Sequence, residues 1–361
     1  MKKLLPILLA VALAACSSSS STASSGSTAS SSATDTRGQT ITLLTHDSFA
    51  VSDNVLQQFE TDTGITVKLA KGGDAGQTVN QAILTKDSPT ADVLYGIDNT
   101  LLGRALDAGL FEPYASPALS SLDPSLDLDP QQHRVTPIDE SDVCVNFDKR
   151  SFDVGGKPAA PQTLADLTKA DYKDQLVVEN PATSSTGLAF LLATVKRYGE
   201  DHYLDYWQQL KANGVLVVDG WEQAYDEQFS AGGSTSGTKS IVVSYASSPP
   251  ADVFYATPAK SDTDVGVVTD GCFKQIEFAG VLSGTKHAAA AQKLVDFLAS
   301  SAFQADMPLS MFVYPARTGT PLPDLFTKYA VKPTDTLTID PAEVAAKRDT
   351  WIKDWTSTVT G

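Results

Sequence analysis

The sequence predicts an α/β protein made of two hinged lobes, a clamshell. A strand–helix pattern begins at residue 41 and starts again after residue 142, and about 320 residues of globular composition carry it. Two predicted chain crossings, near 142–145 and 272–276, would serve as hinge strands. We expect lobe 1 to comprise 39–143 plus 273–318, and lobe 2 to comprise 144–272 plus 319–361.

The first half alternates strands with helices. Runs of β-branched and aliphatic residues predict strands, and apolar residues at helical spacing predict helices. The predicted elements are strand 41–45, a helix from Asp53 to Gly64, strand 65–69, helix 74–84 and strand 91–95. Ligands of such sheets bind at the carboxyl ends of the strands. The polar residues expected at that edge are His46, Asp47, Ser48, Asp74, Asp98 and Asn99.

The second half repeats the pattern. The predicted strands are 142–147, 176–179, 240–245 and 273–281, and the predicted helices are 187–198, 221–229, 288–299 and 341–355. A loop of small residues, 180–187, leads into the first of these helices. Free N–H groups and the helix dipole at such a position favour an anion.

The first sixteen residues have the features of an export signal. Lys2 and Lys3 precede the apolar run 4–12, and small residues precede Cys16. Residues 13–16 look like a bacterial lipobox, whose cysteine is acylated after cleavage; an ordinary signal peptide with a chance cysteine is the alternative. The Ser/Thr-rich segment 17–38 predicts a flexible tether. We expect an extracytoplasmic protein, lipid-anchored to the outer face of the cytoplasmic membrane.

The two other cysteines form a candidate disulfide. Cys144 and Cys272 lie on the two predicted crossings, which would be neighbouring strands, and exported proteins commonly oxidise such pairs. Two buried thiols are the alternative.

Composition narrows the function classes. A formal net charge of −16 argues against nucleic acid as a partner. The four histidines lie apart, so the sequence predicts no metal site and no cofactor. Ser48 and Ser244 offer hydroxyl groups, but no Gly-x-Ser-x-Gly elbow is present, which leaves an exported hydrolase as the weaker alternative. We expect a monomer that catalyses no reaction.

Several segments, in order along the chain, resemble the substrate-binding proteins of thiamine ABC transporters. The segments are 45–50, 92–99, 180–188, 220–225, 244–249, 303–304, 314–315 and 341–348 with Trp351 and Trp355. The resemblance implies a type II periplasmic-binding fold that holds thiamine or its phosphates between two lobes. It implies delivery to a membrane permease and its ATPase. Ferric iron, a polyamine or a phosphonate in the same fold are the alternative ligands.

The resemblance also implies ligand-binding residues. Trp221 and Tyr245 match ring-stacking positions, Phe312 stands where the family often has Trp, and His46 stands where Tyr is common. Ser184 and Ser185 match positions near the phosphate end. The other residues implied are Asp47, Ser48, Asp74, Asp98, Tyr225, Ser247 and Tyr314. Each has an ordinary structural alternative: core packing for the aromatic rings, and turns or helix caps for the polar side chains.

One segment departs from the resemblance just before the predicted hinge. Residues 138–142 replace an aromatic and glycine-containing segment, and Pro250 with Ala251 stand where a Tyr is often found. The aromatic cage is therefore thinner and the acidic lining richer. We expect Glu140 and Asp142 to meet a cationic ring directly, with a hinge-surface position as the alternative.

Overall fold

The computed structural model describes residues 35–153, 155–233 and 236–361. Cys16 and most of the predicted tether lie outside the described residues. The chain divides into two units, 1–35 and 36–361. Thr36 is buried, and its hydroxyl accepts a hydrogen bond from Lys293. The folded unit therefore begins three residues before the predicted start at residue 39.

The described residues form a nine-stranded sheet. Its strands are β1 Thr40–Thr45, β2 Thr66–Lys71, β3 Val93–Asp98, β4 Thr136–Asp148, β5 Leu176–Glu179, β6 Leu216–Val218, β7 Ile241–Tyr245, β8 Val265–Val281 and β9 Tyr314–Pro315. The order is β2-β1-β3-β8-β4-β7-β5-β6, with β9 paired to β4. Strands β2, β1 and β3 are parallel to one another, as are β7, β5 and β6.

Helices cover this sheet. They are α1 Asp53–Thr63, α2 Ala75–Leu84, α3 Asn99–Asp107, α4 Ser185–Tyr198, α5 Tyr203–Ala212, α6 Pro249–Phe254, α7 Ala288–Leu298, α8 Ser301–Ser310, α9 Asp324–Tyr329 and α10 Pro341–Val359. Short 3₁₀ turns lie at 117–121, 124–126, 149–151, 164–168 and 170–172, and a π-helical segment lies at Gln223–Gln228. The mixed α/β class predicted from the sequence is confirmed.

The two long antiparallel strands β4 and β8 connect the halves of the sheet. They begin six and eight residues before their predicted starts, and they pair along most of their length. Where the register of this pair shifts beside Val143, Cys144 forms a disulfide with Cys272 at a Cα–Cα distance of 4.4 Å. The bond lies among buried side chains that include Ala246.

The last helix, α10, contacts helices that pack on both halves of the sheet, α3 and α5. Trp355 of α10 packs edge-on against Trp207 of α5, with ring centroids 5.4 Å apart. At the other end, Pro341 lies against Gly103 of α3, so closely that a side chain at Gly103 would meet its carbonyl. The boundaries of the two lobes, including the place of this tail, stay a prediction. In the described part of the chain, no helix combines the length and apolarity that a membrane crossing needs.

Candidate ligand-binding site

A cavity of about 740 Å³ opens beside the central strands β4 and β8. Five segments build its wall: the loop after β1, the β4–β8 pair, the π-helical segment with the turn that follows it, β7 with α6 and the loop beyond it, and the turn after α8. Its lining residues are His46, Ser48, Ala50, Asp139, Ser141, Trp221, Glu222, Tyr225, Asp226, Ala231, Gly232, Gly233, Tyr245, Ala251, Asp252, Tyr255–Lys260, Gln275, Glu277 and Ser310–Val313.

Three aromatic rings form one wall. Trp221 stacks on Tyr225 with centroids 5.1 Å apart and planes at 15°, and Tyr245 lies 6.0 Å from the indole. The indole Nε1 donates to the Ser244 hydroxyl at 2.9 Å. The Tyr245 and Thr186 hydroxyls are hydrogen-bonded at 3.0 Å. These bonds fix the rings, so the wall is preformed.

Two carboxyl groups form the floor. Asp139 of β4 and Glu277 of β8 are directly paired across the two strands, and both side chains reach the cavity. Tyr95 donates its hydroxyl hydrogen to Asp139 Oδ2 at 2.6 Å. Burial raises the pKa of Asp139 well above its ordinary value, and the charge of Glu277 raises it further. A cation in the cavity would relieve this cost, because it favours the ionised carboxylates.

His46 stands beside that floor. Its Nδ1 is hydrogen-bonded to the Ser48 hydroxyl at 2.9 Å, and its Nε2 lies 3.6 Å from Glu277 Oε2. Among the described residues, neither that nitrogen nor that oxygen has a hydrogen-bond partner. Burial acts to lower the pKa of His46, but Glu277 and more distant carboxylates outweigh burial, so the pKa is raised. Gly96, with φ +90°, leaves room for the ring, since a side chain there would meet it.

Asp74 joins the two halves of the fold outside the cavity lining. It occupies the N-cap position of α2 without a side-chain bond to that helix, and its carboxylate accepts hydrogen bonds from the backbone N–H groups of Ser185 and Trp221, both at 3.0 Å. Burial raises its pKa, while these two bonds act to lower it. Gln77 N–H also donates to the Thr183 carbonyl at 2.9 Å. Asp74 thus positions the aromatic wall through the Trp221 backbone.

The predicted anion position at the start of α4 is therefore occupied by a carboxylate of the protein. The Ser185 N–H group is bonded to Asp74, and the Ser184 hydroxyl accepts from Gly187 N–H as a helix cap. Both serines are buried, and neither is among the described residues that line the cavity.

Asp98 also acts indirectly, through a residue that lines the cavity. Its carboxylate caps α3 by accepting from Thr100 and Leu101, and it accepts from the Gln275 side chain. Burial raises the pKa of Asp98 to about 6. Gln275 lines the cavity, so Asp98 orients a lining residue. Ser247 has the same relation to Ser141, with hydroxyl oxygens 2.7 Å apart.

The remaining predicted residues lie outside the described lining. Asp47 accepts from the Ser48 N–H at 2.9 Å, which makes it a turn residue. Tyr314 packs edge-on against Phe326. Glu140 forms ion pairs with Lys274 and Lys332, and Asp142 lies 4.0 Å from Lys274. Glu140 and Asp142 therefore lie outside the described lining, on the other face of the strand from Asp139 and Ser141, and Asp142 is buried rather than at a hinge surface.

Sequence reasoning missed several lining residues. The acidic or basic ones are Asp139, Glu222, Asp226, Asp252, Lys260 and Glu277, and the others include Ser141, Tyr255 and Gln275. Gln275 and Glu277 lie two apart in β8, on either side of Ile276, which is a readable signal for one polar face. Among the described residues, no group of three or more His, Cys, Asp or Glu could hold a metal ion.

The mixed sheet and its side cavity define a ligand-binding protein of the type II periplasmic-binding fold. Residues 88–335 match the model of the bacterial extracellular solute-binding proteins, and the chain belongs to that family. Its members carry ligands and are not enzymes.

Known proteins similar to this chain include two named for thiamine. This chain is 31% identical over 320 residues to the thiamine-binding periplasmic protein of Escherichia coli (strain K12), and the match covers 87% of this chain and 92% of that protein. A solved periplasmic thiamin binding protein is 29% identical with a TM-score of 0.77, covering 90% and 98%. Iron-bound HitA from Pseudomonas aeruginosa, 22% identical with a TM-score of 0.68 over 88% and 99%, shows the fold alone.

Proposed function

We propose that this protein binds thiamine, or a thiamine phosphate, in the 740 Å³ cavity and delivers it to the permease of an ABC importer. The observation that supports this most is the pairing of an aromatic wall with a carboxylate floor. Thiamine carries a permanently charged thiazolium ring and an aminopyrimidine ring that donates and accepts hydrogen bonds. The names of the similar proteins point to the same ligand.

The wall suits the charged, flat part of such a ligand. Aromatic faces attract cations by about 0.5–2 kcal/mol each, and Trp is the strongest. Trp221 and Tyr225 are already stacked on each other, so a ligand ring can extend the stack without a new cost in side-chain order.

The floor suits the charge and the exocyclic amine. Glu277 Oε2 is buried without a hydrogen-bond partner among the described residues. A donor or a cation at this oxygen would satisfy it, which is worth about 1.5–3 kcal/mol for a charged hydrogen bond. The volume lies in the usual range for small-molecule pockets.

Closure of the two lobes would couple binding to transport. Asp74 and Gln77 of one half bond to backbone groups of the other half, and these bonds are available only when the halves meet. A ligand that contacts both sides favours that closed state.

We propose further that Cys16 is lipidated and that 17–38 tethers the protein to the outer face of the cytoplasmic membrane. The sequence of the first sixteen residues supports this. A tether keeps the binding protein at high effective concentration beside its permease. In cells given a labelled fatty acid, the wild-type protein should carry label in the membrane fraction, and Cys16→Ala should carry none.

Isothermal titration of the folded protein tests the ligand. Thiamine, its mono- and diphosphate, ferric iron and a polyamine are titrated in turn, and thiamine or a phosphate should bind below about 10 µM. Trp221→Ala should weaken binding by about 2–4 kcal/mol, while Trp221→Phe, the matched control, should recover most of the loss. Tight binding of iron or the polyamine with none of thiamine would overturn the proposal.

A further inference from the structure

Three aromatic rings meet at the edge of the cavity, apart from the stacked wall. Tyr255 and Phe254 lie 5.0 Å apart between ring centroids, and each lies within 6 Å of Phe312 in an edge-on arrangement. Tyr255 is 65% exposed and Phe254 is 46% exposed. Exposed apolar side chains that lie together in one patch often mark a binding site.

Only part of this cluster faces the cavity. Tyr255 and Phe312 line it, whereas Phe254 is not among the described lining residues. Tyr255 therefore has one face toward solvent and another toward the cavity, which places it at the opening.

The two sides of the cluster come from distant parts of the fold. Phe254 ends α6, Tyr255 follows directly, and α6 begins four residues after β7. Phe312 lies in the turn after α8, a helix that packs against β9 and α1. The Phe312 backbone has φ +57°, an uncommon conformation for an aromatic residue, and such positions often occur at ligand sites. The aromatic contact thus spans the opening from one half of the fold to the other.

The base of α6 is firmly held. Asp252 accepts from Lys260 at 2.6 Å and from Asp264 N–H at 2.7 Å. Ala251 lies one helical turn before Tyr255, and both residues line the cavity. The ring of Tyr255 therefore extends from an anchored turn and reaches Phe312 across the opening, with ring centroids 5.7 Å apart.

We propose that Tyr255 is a gate residue that closes over the bound ligand and contacts its cationic ring, setting how slowly the ligand leaves. The proposal rests on the thiamine-binding function given above. Carboxyl groups near the ring favour a cation at this place: Asp226 lies close enough to raise the Tyr255 pKa, after burial as the main cause. Among the described residues, the lining contains one lysine or arginine, which is Lys260. Its charge is paired with Asp252 and Asp264.

The first test measures affinity by titration and dissociation by stopped-flow tryptophan fluorescence, with thiamine as the probe. Tyr255→Ala should raise Kd about two- to thirtyfold, mostly through faster dissociation, which is the range of a lost cation–π contact. Tyr255→Phe should behave as wild type, because no hydrogen bond of the hydroxyl is needed. Leu84→Ala is the control, an exposed apolar residue outside both the cluster and the lining, and should change Kd less than twofold.

A second variant separates cation recognition from simple apolar cover. Tyr255→Leu keeps an apolar side chain without a ring face. It should weaken thiamine binding but leave unchanged the binding of an uncharged thiamine analogue in which carbon replaces the charged ring nitrogen. Equal effects on both ligands would overturn the cationic contact.

The outcomes are distinguishable from failure of the proposed function. If wild-type protein does not bind thiamine, the function and the gate fall together. If wild-type binds thiamine and Tyr255→Ala has wild-type Kd and dissociation rate, the gate alone is wrong. If Tyr255→Ala binds thiamine normally but uptake into cells is impaired, the exposed rings would instead be assigned to contact with the permease. That result also overturns the gate.

Discussion

The two faces of the β4–β8 strand pair carry similar residues in opposite electrostatic states. On the cavity face, Asp139 and Glu277 lie side by side with no lysine or arginine bonded to them among the described residues. On the other face, Glu140 is bonded to Lys274 and Lys332. These lysines lower the Glu140 pKa although burial acts to raise it. The comparison teaches that two adjacent acidic residues of one strand, Asp139 and Glu140, can differ in whether a lysine already neutralises their charge.

The largest expected effect comes from charge reversal on the cavity face. Glu277→Lys should lower thiamine affinity at least hundredfold, since it removes a carboxylate and adds a like charge beside the ligand, at a cost of about 3 kcal/mol or more. Glu140→Lys should leave Kd within twofold but lower the Tm by several degrees, because three ammonium groups would then crowd together. Titration and thermal unfolding of both variants measure this. Similar affinity losses in the two variants would break the comparison.

The next effect concerns Asp142, which lies on the face of β4 opposite the cavity, called the structural face below. Burial raises its pKa to about 6, because Lys274 at 4.0 Å compensates only part of the lost hydration. A raised carboxyl pKa means that stability falls as pH rises from about 4 to about 6, and the cost is complete above that window. Asp142→Asn should therefore stabilise the protein by about 1–3 kcal/mol at pH 8 and by nothing near pH 4.

Denaturant unfolding of Asp142→Asn and wild type at both pH values measures this difference. Thiamine affinity at pH 8 serves as the control and should be unchanged, since Asp142 is not among the described lining residues. A variant that is less stable than wild type at pH 8 would mean that the carboxylate is well compensated, contrary to its raised pKa.

The sequence predicted the strands of the sheet well, but it predicted poorly which residues of β4 face the cavity. Helix α1 ends at Gly64 in a left-handed conformation, as expected, and the rings of Trp221, Tyr225 and Tyr245 come together in the cavity wall. Within 138–142, however, Glu140 and Asp142 are the residues expected at the ligand, whereas Asp139 and Ser141 are the ones that line the cavity. Side chains alternate along a strand, so an error of one residue exchanges the whole set.

The physical reason is that β4 is central and buried on both faces. Nearly every residue of the strand is buried, so no alternation between apolar and polar residues marks which face meets the cavity. Tyr255 was missed for a different reason. Its position depends on α6, which is held by Lys260 through tertiary ion pairs, and no local pattern reports such contacts.

The smallest expected effect is a pH dependence that has opposite signs for binding and for folding. The pKa of His46 is raised in the free protein, because Glu277 and other carboxylates outweigh the effect of burial. Protonated His46 therefore stabilises the fold below about pH 6.5, and this contribution is lost as pH rises through the higher folded pKa. The positive charge of protonated His46 offsets the negative charge of Glu277. Protonation of His46 therefore competes with the binding of a cationic ligand. Thiamine affinity should accordingly rise by about two- to fivefold as pH rises through the His46 pKa, and then level off.

Titrations between about pH 5.5 and 8 check this sign, with His46→Phe as the matched variant. That variant should lose most of the slope, and any slope that remains belongs to the other lining carboxyl groups, Asp139, Glu222 and Asp226, whose raised pKa values act in the same direction. Affinity that falls as pH rises would contradict the assignment of the floor to a cation. Opposite trends of stability and affinity in the wild type, both weakened in His46→Phe, would tie them to the contact between Nε2 and Glu277, because no residue of the structural face can produce both.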